Sequence, residues 1–272
     1  MKIISFNVNG IRARQHQLEQ LCQSKPEIIG LQEIKAQDAD FPIQAVESLG
    51  YTSFHFGQKG HYGVSFMVRN DIATQVEHVQ RAFPHDPEDV QRRMIALTLK
   101  TDSGIMHILN GYFPQGESRD HPTKFPAKQK FYADLLAWLE SDFKAEDQVI
   151  LMGDINVAAH DHDIGIGPEN MRRWLRTGKC SFLPEERQWL QKIEAWGLTD
   201  SFRHFHPDVD DQYSWFDYRS RGFNQEPKRG LRIDSIMVSA SLLARCQSAG
   251  MDYDLRAMEK PSDHCPIFLE LA

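Results

Sequence analysis

The sequence predicts a layered α/β fold with sheets inside and helices outside. Short apolar runs rich in Ile, Val and Phe alternate along the chain with segments of helical periodicity. A short apolar run bounded by turn residues is typical of a buried strand, and a 3.6-residue pattern is typical of a helix with one buried face. Alternation of the two patterns favours layers of sheet and helix around one core.

Seven runs are predicted strands. In chain order they read "KIISFNV", "EIIGLQE", "GVSFMV", "MHILNGYF", "QVILMGDIN", "RIDSIMV" and "CPIFLEL". Helical periodicity is clearest in "QKFYADLLAWLESDF" and "PEERQWLQKIEAWG". The first helix places four large apolar residues on one face: Phe131, Leu135, Trp138 and Leu139. The second begins at Pro184 and ends before Gly197, residues that favour helix starts and stops.

Long polar stretches separate these elements, at residues 84–93, 113–128, 158–183 and 204–230. Irregular segments of this length in a compact domain are usually functional. No composition break, low-complexity tract or solenoid-type period divides the chain. We therefore predict a single domain over residues 1–272, with the chemistry gathered in its loops.

Composition excludes several classes of protein. The 272 residues are 41% hydrophobic, which is ample for a sizeable core. The net charge of −7 and the pI of 5.9 argue against a protein that coats nucleic acid or an acidic membrane through bulk positive charge. Any polyanion must therefore be bound by a local patch of positive charge.

The cysteines and the N-terminus favour a cytoplasmic location. No CxxC pair occurs, so neither a disulfide framework nor a zinc ribbon is indicated; the cysteines are Cys22, Cys180, Cys246 and Cys265. Ser5 and Asn7 interrupt the first apolar stretch, which therefore lacks the core of a signal peptide. No run approaches the length of a membrane span, so we expect no membrane association.

The strand "VILMGDINV", residues 149–157, ends in polar residues where a buried strand would continue apolar. Side chains alternate along a strand, so Asp154 and Asn156 should point the same way, about 7 Å apart. One interpretation is that Asp154 caps a turn and Asn156 supports it. The other is that both converge on a functional site.

Recurrence favours the second interpretation. Other predicted strands also end in polar residues: Asn7, Asn9, Glu33, Asn110 and Tyr112. Two further segments add Asp234, inside an apolar strand, and Asp263 with His264, in a loop between two prolines. A buried carboxylate needs a partner, so Asp234 is expected to pair with a histidine or an amide, or to face a cation. His264 is a candidate partner, although a lone histidine is more often a core residue.

Oxygen ligands dominate this set of side chains, and no cysteine belongs to it. Carboxylate and amide oxygens suit Mg²⁺ or Mn²⁺. A hard cation held by one or two carboxylates is the usual electrophile in phosphoryl chemistry. The site therefore predicts a phosphoesterase.

Nine segments together carry a family resemblance: "SFNVNGIRAR", "GLQEIK", "GQKGHYGV", "NGYFPQGESRDHPTKFPAK", "MGDIN", "RWLRTGKCSFLPEER", "YSWFDYRSRGF", "GLRID" and "MEKPSDHCP". In this combination the chain resembles the bacterial exonuclease III family (class II AP endonucleases) of the endonuclease/exonuclease/phosphatase superfamily. The resemblance implies a DNase I-like four-layer α/β sandwich, in which two packed mixed β-sheets are flanked by helices. It also implies cleavage 5′ to abasic sites, 3′–5′ exonuclease action on double-stranded DNA and removal of 3′ phosphates and other 3′ blocks.

The resemblance also implies a metal site. Glu33 would be a metal ligand assisted by Asn7, and a second metal would use Asp154, Asn156 and His264. The candidate ligands for Mg²⁺ or Mn²⁺ are therefore Asn7, Glu33, Asp154, Asn156, Asp263 and His264. Whether one or two metals act stays open. Some eukaryotic relatives have aspartate at the position of Asn9, so a carboxylate-rich first metal site is less expected here.

Catalytic roles follow from the same resemblance. Asp154 would orient or deprotonate the attacking water, and Asn156 would steady the phosphate. Asp263 and His264 would lie against the phosphate, with Asp234 orienting the imidazole. Tyr112 would contact the phosphate and is a second candidate to carry the proton, so the identity of the proton acceptor stays open.

Basic and aromatic loops provide candidate DNA contacts. Basic side chains interleaved with aromatic ones favour DNA binding over a merely solvated face. The resemblance adds contacts in "GQKGHYG" and "GESRDHPTK" and an apolar surround for a sugar without a base, although its aromatic residues have an alternative interpretation as core. The main candidates are Arg92, Gln115, Lys124, Arg172, Arg176, Trp215, Phe216, Arg219 and Leu231. Further candidates are Arg173, Trp174, Lys179, Arg221, Lys228, Arg229, Arg232 and Ile233.

One ligand-rich run is discounted. "HDHD" at 160–163 offers His160 and His162 on one side, but a zinc site needs three or four converging ligands. Surface histidines are the better interpretation.

Three alternative functions were weighed. A phosphoinositide or phospholipid phosphatase would share "GDIN" and "SDH" but not the loops "YSWFDYRSRGF" and "GYFPQGESRDHPTKF". A DNA-binding scaffold would lack catalytic groups, and this chain carries all of them. The third alternative is a 3′-end-processing exonuclease and phosphatase with weak AP endonuclease activity. The expected partner is double-stranded DNA with abasic sites or blocked 3′ ends, bound by a monomer.

Overall fold

A computed structural model describes residues 1–88 and 90–272, and within them the chain forms twelve strands. In chain order these are β1 (Lys2–Asn7), β2 (Ile28–Gln32), β3 (Tyr51–Phe56), β4 (Val64–Arg69), β5 (Val76–Arg81), β6 (Met94–Thr101), β7 (Gly104–Tyr112), β8 (Gln148–Asp154), β9 (Leu198–Asp200), β10 (Asp234–Ser239), β11 (Cys246–Met251) and β12 (Ile267–Leu271). They form two sheets of six strands. Sheet A has the order β11-β12-β1-β2-β4-β3, and sheet B has the order β5-β6-β7-β8-β10-β9.

The same described residues form nine α-helices, several of them a single turn long. They are α1 (Gln15–Cys22), α2 (Ile43–Ser48), α3 (Asn70–Ala73), α4 (Lys124–Asp142), α5 (Pro168–Thr177), α6 (Pro184–Trp196), α7 (Ser201–Phe205), α8 (Ala240–Leu243) and α9 (Tyr253–Arg256).

The two sheets pack face to face, and helices cover their outer faces. Inward residues of both sheets, such as Ile28 and Ile150, belong to one buried apolar cluster. Outside sheet B, α4 and α6 contribute Leu135 and Ile193 to a second cluster. Outside sheet A, α1 packs through Leu18 in a third cluster. The order helix, sheet, sheet, helix confirms the predicted four-layer sandwich of mixed sheets.

Each sheet has one parallel strand pair, and it lies at the sheet's centre. In sheet A the pair is β1 with β2, and in sheet B it is β7 with β8; the other neighbours are antiparallel. Parallel strands end at the same edge of a sheet, so the polar residues that follow these four strands meet in pairs. This topology brings the predicted site residues to one rim.

All seven predicted strands are present, and the structure adds five more. Four of the added strands, β3, β5, β9 and β11, are the four sheet edges. Edge strands are covered on fewer sides, and β5 for example has no fully buried residue. Their sequences therefore lack the continuous apolar runs that mark the central strands.

Both predicted helices are confirmed, with one boundary corrected. The predicted core face of α4 is buried. The helix begins at Lys124, inside the stretch expected to be irregular, and Pro126 fits its first turn because the N–H that proline lacks has no helical partner there.

The stretch 158–183 was expected to be irregular, but it contains α5. No residue of α5 is fully buried, and its apolar face is short: Met171, Trp174 and Leu175 pack partly buried against one small cluster. Gly178 ends α5 in the left-handed conformation, with φ of 66°, as expected of a residue without Cβ.

All four cysteines are free, and three are buried. None of the described helices combines the length and the apolar character that crossing a membrane requires.

Candidate active site

Sheet B contributes a row of three polar side chains at the rim. Tyr112 is in register with Asp154 across the parallel pair, and Asp234 is in register with Asp154 across the antiparallel pair. Residues paired on neighbouring strands lie about 5 Å apart and point to the same face. Asp154 therefore lies at the centre of a row that faces sheet A.

Asn156 does not continue this row, which corrects the alternation expected for Asp154 and Asn156. Strand β8 ends at Asp154, and Asn156 adopts a left-handed backbone with φ of 54°. Its backbone N–H donates to Oδ1 of Asp154 at 3.1 Å, and its side-chain Nδ2 donates to the carbonyl of Phe113 at 3.0 Å. Asp154 thus caps the turn, as the first interpretation expects, and also faces sheet A, whereas Asn156 does not share its direction.

Sheet A contributes amides and one carboxylate. Nδ2 of Asn7 donates to Oδ2 of Asp154 across the sheets at 2.9 Å. Nζ of Lys35 lies 2.9 Å from Oε1 of Glu33 and 2.6 Å from Oδ1 of Asn9. Lys35 was not among the predicted site residues, although it follows Glu33 in the motif "GLQEIK".

The backbone is strained where sheet A meets the site. Asn9, Glu33 and Lys35 have φ of 47°, 54° and 52°. Left-handed backbone in non-glycine residues costs free energy and is concentrated at functional sites. Here it turns each side chain after its strand toward the rim.

Asp234 and His264 form the predicted pair. Nδ1 of His264 lies 2.8 Å from Oδ2 of Asp234, and Nε2 lies 3.7 Å from Oδ2 of Asp154. A carboxylate can only accept, so Nδ1 carries a proton. Burial lowers the pKa of His264, but Asp234 and Asp154 outweigh it and raise that pKa to about 10. The imidazole is thus a cation held between two acids.

Burial dominates the pKa of Asp154. It raises the pKa to about 7, although the neighbouring His264 opposes the shift, and Asp234 and Glu33 add to it. A carboxyl group that titrates near neutral pH can accept a proton there. The position at the centre of the row therefore matches the predicted role of Asp154.

Asp263 lies at the other side of the rim with both oxygens engaged. Oδ1 accepts from Nδ2 of Asn9 at 2.8 Å, and Oδ2 accepts from Nε1 of Trp215 at 3.1 Å. Burial alone would raise the pKa of Asp263, but His264 and these donors together lower it. Asp263 is therefore ionised, and it links the acidic rim to Trp215.

Tyr112 is held by a residue that the sequence prediction did not include. The guanidinium of Arg93 lies 3.9 Å from the ring centre of Tyr62 and 4.8 Å from that of Tyr112. Burial and the acids Glu33 and Asp154 raise the pKa of Tyr112 well above its usual value, so its hydroxyl stays protonated. The prediction named Arg92 of the same Arg-Arg pair. Arg92 instead pairs with Asp38 at 2.6 Å, away from these contacts.

These residues fit a divalent cation. Asp154, Asp234 and His264 each offer one ligand atom, and these atoms lie within 4.8 Å of one another. Negative charge exceeds positive charge, because Glu33 and Asp263 join the two aspartates against His264 and Lys35. Carboxylate and amide oxygens are the ligands that hard cations prefer. The donor set thus matches the divalent-metal dependence expected for the site.

Basic side chains on α5 lie near this rim. Arg172, Arg173 and Arg176 are exposed, and Nζ of Lys179 lies 3.8 Å from the ring centre of Trp174. A cavity of about 510 Å³ opens between α5 and the 215–229 loop. Its lining includes Arg173, Trp174, Lys179, Trp215, Arg219 and Arg229. Trp215 therefore borders both the basic cavity and, through Asp263, the acidic rim.

Two other predicted DNA contacts lie between β7 and the start of α4. Gln115 belongs to the connecting loop, and Lys124 is the first residue of the helix. Gln115 and Lys124 are exposed. Oε1 of Gln115 accepts from the backbone N–H of Glu117 at 2.7 Å, and Nζ of Lys124 donates to Oε2 of Glu117 at 2.5 Å. Both side chains are thus tied to one acidic residue that the sequence prediction did not include.

Two predicted DNA contacts are buried side chains in this structure. Phe216 is 0% exposed and packs in a small core with Tyr213 and Cys265. Arg232 is 3% exposed and is bound by Asp163 and Asp200. Neither side chain is accessible to DNA, because each points into the protein.

The remaining apolar candidates lie together. Leu231 pairs with Trp215 and with Ile164 as isolated bridges, and Leu231 and Ile233 share one apolar cluster against Trp215. Leu231 is 1% exposed, so Trp215 presents most of this wall to the surface. Among the described residues, the possible metal-ligating group consists of Asp154, Asp234 and His264 and does not include His160 or His162.

Comparison with known proteins agrees with this geometry. The family model described as "Endonuclease/Exonuclease/phosphatase family" matches residues 4–264. The chain is 55% identical over 271 residues to exodeoxyribonuclease III of Haemophilus influenzae, and the match covers 99% of each chain.

Two solved structures have a similar fold and a related sequence. One is the 3′ phosphatase NExo from Neisseria bound to a product DNA hairpin, at 35% identity and a TM-score of 0.87, covering 100% of this chain and 99% of that one. The other is an AP endonuclease from Archaeoglobus fulgidus, at 30% identity and a TM-score of 0.88, with the same coverage.

The rim of carboxylates, the basic cavity beside it and these matches over the full chain agree with one another. The chain therefore belongs to the endonuclease/exonuclease/phosphatase family, within which it is a DNA repair nuclease of the exonuclease III type.

Proposed function

We propose that this nuclease cleaves DNA 5′ to abasic sites, digests double-stranded DNA from 3′ ends and removes 3′ phosphates, using Mg²⁺ or Mn²⁺. The observation that carries the proposal is the row Tyr112, Asp154 and Asp234, which faces Asn7 of the opposite sheet beside a basic cavity. A phosphodiester bound between the rim and the cavity would meet a proton acceptor, a cation and hydrogen-bond donors together.

Asp154 orients the attacking water and accepts its proton. Its raised pKa of about 7 supports this role, since a general base works best when its pKa is near the working pH. Asn7 and the N–H of Asn156 donate to the two oxygens of Asp154 and fix the direction of the carboxylate. The water oxygen bonds to phosphorus as the bond between phosphorus and the 3′ oxygen breaks, and that oxygen takes up a proton from solvent. The products of this step are a 3′ hydroxyl and a phosphate bound beside a protonated Asp154.

His264 and Tyr112 stabilise the negative charge that grows on the phosphate. His264 is held as a cation by Asp234, and the hydroxyl of Tyr112 remains a donor because its pKa is raised. Donors fixed in a site with little water stabilise developing charge more than water does. Asn156 supports the turn behind Asp154 and steadies the phosphate from that side.

Glu33 would hold the divalent metal with Asn7, and Asp154, Asn156 and Asp263 are further candidate ligands. His264 would join them only as a neutral imidazole, because the cationic ring has no lone pair to donate. When bound, the metal supplies positive charge to the phosphate oxygens. Arg172, Arg176, Arg219, Gln115 and Lys124 would bind the DNA backbone, and Trp215, backed by the buried Leu231, would face the base-free sugar.

The partner is double-stranded DNA with abasic sites or blocked 3′ ends. The related AP endonuclease from Archaeoglobus fulgidus supports incision at abasic sites. The related Neisseria protein, described as a 3′ phosphatase, supports an alternative in which 3′-end processing dominates and AP endonuclease activity is weak. We also infer a monomer that works in the cytoplasm and folds as one domain over residues 1–272; its free, buried thiols suit a reducing compartment.

Three duplexes test the proposal: one with an abasic analogue, one with a 3′ phosphate and one with a blunt end. We expect turnover of all three with Mg²⁺ or Mn²⁺, complete loss in excess chelator and recovery on adding metal. Alkylation of the thiols should leave the activity intact. Turnover in excess chelator would refute the metal assignment, and turnover of the 3′ phosphate alone would establish the alternative.

A further inference from the structure

The space between the two sheets changes from apolar to polar toward the rim. On β7 the inward residues are Ile108, then Asn110, then Tyr112, and on β1 they are Ile3, then Ser5, then Asn7. The first member of each series lies in the apolar core, and the last belongs to the site. Between them lies a neutral polar layer, which we define as Ser5, Gln32 and Asn110.

Asn110 crosses from sheet B to the backbone of sheet A. Its Nδ2 donates to the carbonyl of Leu31 at 3.1 Å and to that of Ser65 at 3.0 Å. Its Oδ1 accepts from Nε2 of Gln32 at 2.7 Å. Asn110 and Gln32 are both 0% exposed. We call these three hydrogen bonds the inter-sheet latch.

The latch joins the end of β2 to the end of β7, and both strand ends lead directly into site residues. Glu33 follows Gln32 directly, and Tyr112 is two residues beyond Asn110 on the same face of β7. Tyr112 is in turn in register with Asp154. The latch therefore joins the part of sheet A that carries Glu33 to the part of sheet B that carries Tyr112 and Asp154.

Most contacts between the sheets cannot fix their relative position to the accuracy that a metal site needs. Apolar packing is non-directional, whereas hydrogen bonds depend steeply on distance and angle. Metal ligands on two separate sheets keep their spacing only if something fixes both sheets near the ligands. A buried amide that bonds two backbone carbonyls and a facing amide meets that need.

We propose that Asn110 is a positioning residue, which through Gln32 sets the carboxylate of Glu33 against Asp154 for divalent-metal binding. This inference rests on the proposed function, because it concerns the metal ligands of the same site. Asn110 touches neither phosphate nor metal. Its loss should impair metal binding and turnover while leaving the DNA surface on α5 unchanged.

The test compares Asn110→Leu with Ile108→Val. Leucine is similar in size to asparagine but makes no hydrogen bond, and Ile108 is the next inward residue on the same strand. Urea unfolding measures stability, titration of Mn²⁺ followed by electron paramagnetic resonance measures metal binding without DNA, and steady-state kinetics separates kcat from KM.

Asn110→Leu should weaken Mn²⁺ binding and lower kcat at saturating metal, each by about tenfold or more, as is typical for residues that orient metal ligands. KM for DNA should stay close to that of the unaltered protein. Ile108→Val should lower stability yet leave Mn²⁺ affinity and kcat unchanged. Unaltered Mn²⁺ affinity and kcat in folded Asn110→Leu would overturn the latch.

Gln32→Met provides a second route if Asn110→Leu does not fold. It removes the other side chain of the latch, and the same loss of Mn²⁺ affinity is expected; normal affinity would overturn the proposal. Failure of the proposed function is distinguishable, because it would appear as absent turnover in the unaltered protein. The Mn²⁺ titration does not depend on turnover.

Discussion

Two buried clusters of charged side chains use aspartate in opposite ways. The rim cluster consists of Asp154, Asp234 and His264. The brace cluster consists of Asp163, Asp200, Arg203 and Arg232. Its ion pairs connect the 158–183 segment to β9, to α7 and to the residues just before β10. Asp154 is 2% exposed and Asp163 is 0% exposed, so burial alone does not distinguish them.

The brace cluster is balanced, and the rim cluster is not. Arg232 meets Asp163 through Nε at 2.6 Å and Asp200 through Nη1 at 2.7 Å, and Arg203 binds Asp163 as well. Burial raises the pKa of Asp163, but Arg232 and Arg203 outweigh it and lower the pKa. At the rim the same burial raises the pKa of Asp154 to about 7.

The difference separates structure from chemistry. A buried carboxylate matched by guanidinium groups stays ionised and holds elements together. A buried carboxylate with too few cations around it is ready to take up a proton or a metal ion. Matched substitutions in the two clusters should therefore change different properties.

Asp154→Asn should cause the largest effect. It should lower turnover by about 10²–10⁴-fold, the range for a general base, while DNA binding stays largely intact. Stability should not fall, because the substitution removes a buried charge that is poorly matched. Single-turnover kinetics with a DNA-binding titration checks this, and a parallel loss of binding would make Asp154 a positioning residue.

His264→Ala and Asp234→Ala should each reduce turnover severely, and the double variant should be little worse than either single one. Residues that act as a unit share one effect, so their losses do not add. Initial rates for the two single variants and the double variant form the cycle. Strictly additive losses would show that the 2.8 Å contact between His264 and Asp234 has no catalytic meaning.

Asp163→Asn is the matched change in the brace cluster. It should lower the free energy of unfolding by about 3–5 kcal/mol, because Arg232 loses a partner while staying buried. Turnover per folded molecule should change far less than in Asp154→Asn. Urea unfolding and active-site titration measure the two quantities, and a catalytic loss without destabilisation would contradict the distinction between the clusters.

Trp215→Ala tests the wall that borders both the rim and the basic cavity. It should impair incision at an abasic site more than removal of a 3′ phosphate, by about 1–3 kcal/mol, the value of a small apolar contact in a substrate pocket. Trp215→Phe is the control, since it keeps the ring but loses the N–H that binds Asp263. Equal loss of both activities would assign Trp215 to the shared phosphate site.

The difference in stability between the unaltered protein and Asp163→Asn should isolate the brace cluster as pH changes, because the titrations of Asp154 and His264 are common to both proteins. The pKa of Asp163 is lowered in the folded state, so its contribution is present above the unfolded value of about 3.9 and is lost as pH falls through the folded pKa. The stability gap between the unaltered protein and Asp163→Asn should thus be constant near neutral pH and shrink below about pH 4. A gap that widens in acid would contradict the lowered pKa.

Prediction from sequence succeeded for most of the central strands and failed at all four sheet edges, although the interior strand β6 was also missed. The predicted strands are central in both sheets, where both faces are covered and the sequence is apolar throughout. Strands β3, β5, β9 and β11 lie at the edges and carry mixed patterns. Helix α5 was also not predicted, because its apolar face comprises only Met171, Trp174 and Leu175 within a strongly basic segment.

Side-chain direction was the main limit at the site. The sequence named Asn7, Glu33, Tyr112, Asp154, Asp234, Asp263 and His264, and the structure brings them to one rim. Strand alternation did not predict that Asn156 would leave the row, because its left-handed backbone ends the strand. Nor did strand alternation show which of two neighbouring arginines contacts Tyr112. Arg93 lies against its ring, whereas Arg92 pairs with Asp38.

The sequence by itself determined the layered fold, the central strands and the residue types of the site, because burial pattern and oxygen chemistry are local properties of the chain. Only the tertiary structure decided which acids are matched, since Arg203 and Arg232 reach Asp163 across 40 and 69 residues. It also decided that Phe216 is core and that Asn110 bridges the sheets. Charge balance and inter-sheet contact depend on distances between segments remote in the chain, and no local pattern encodes those distances.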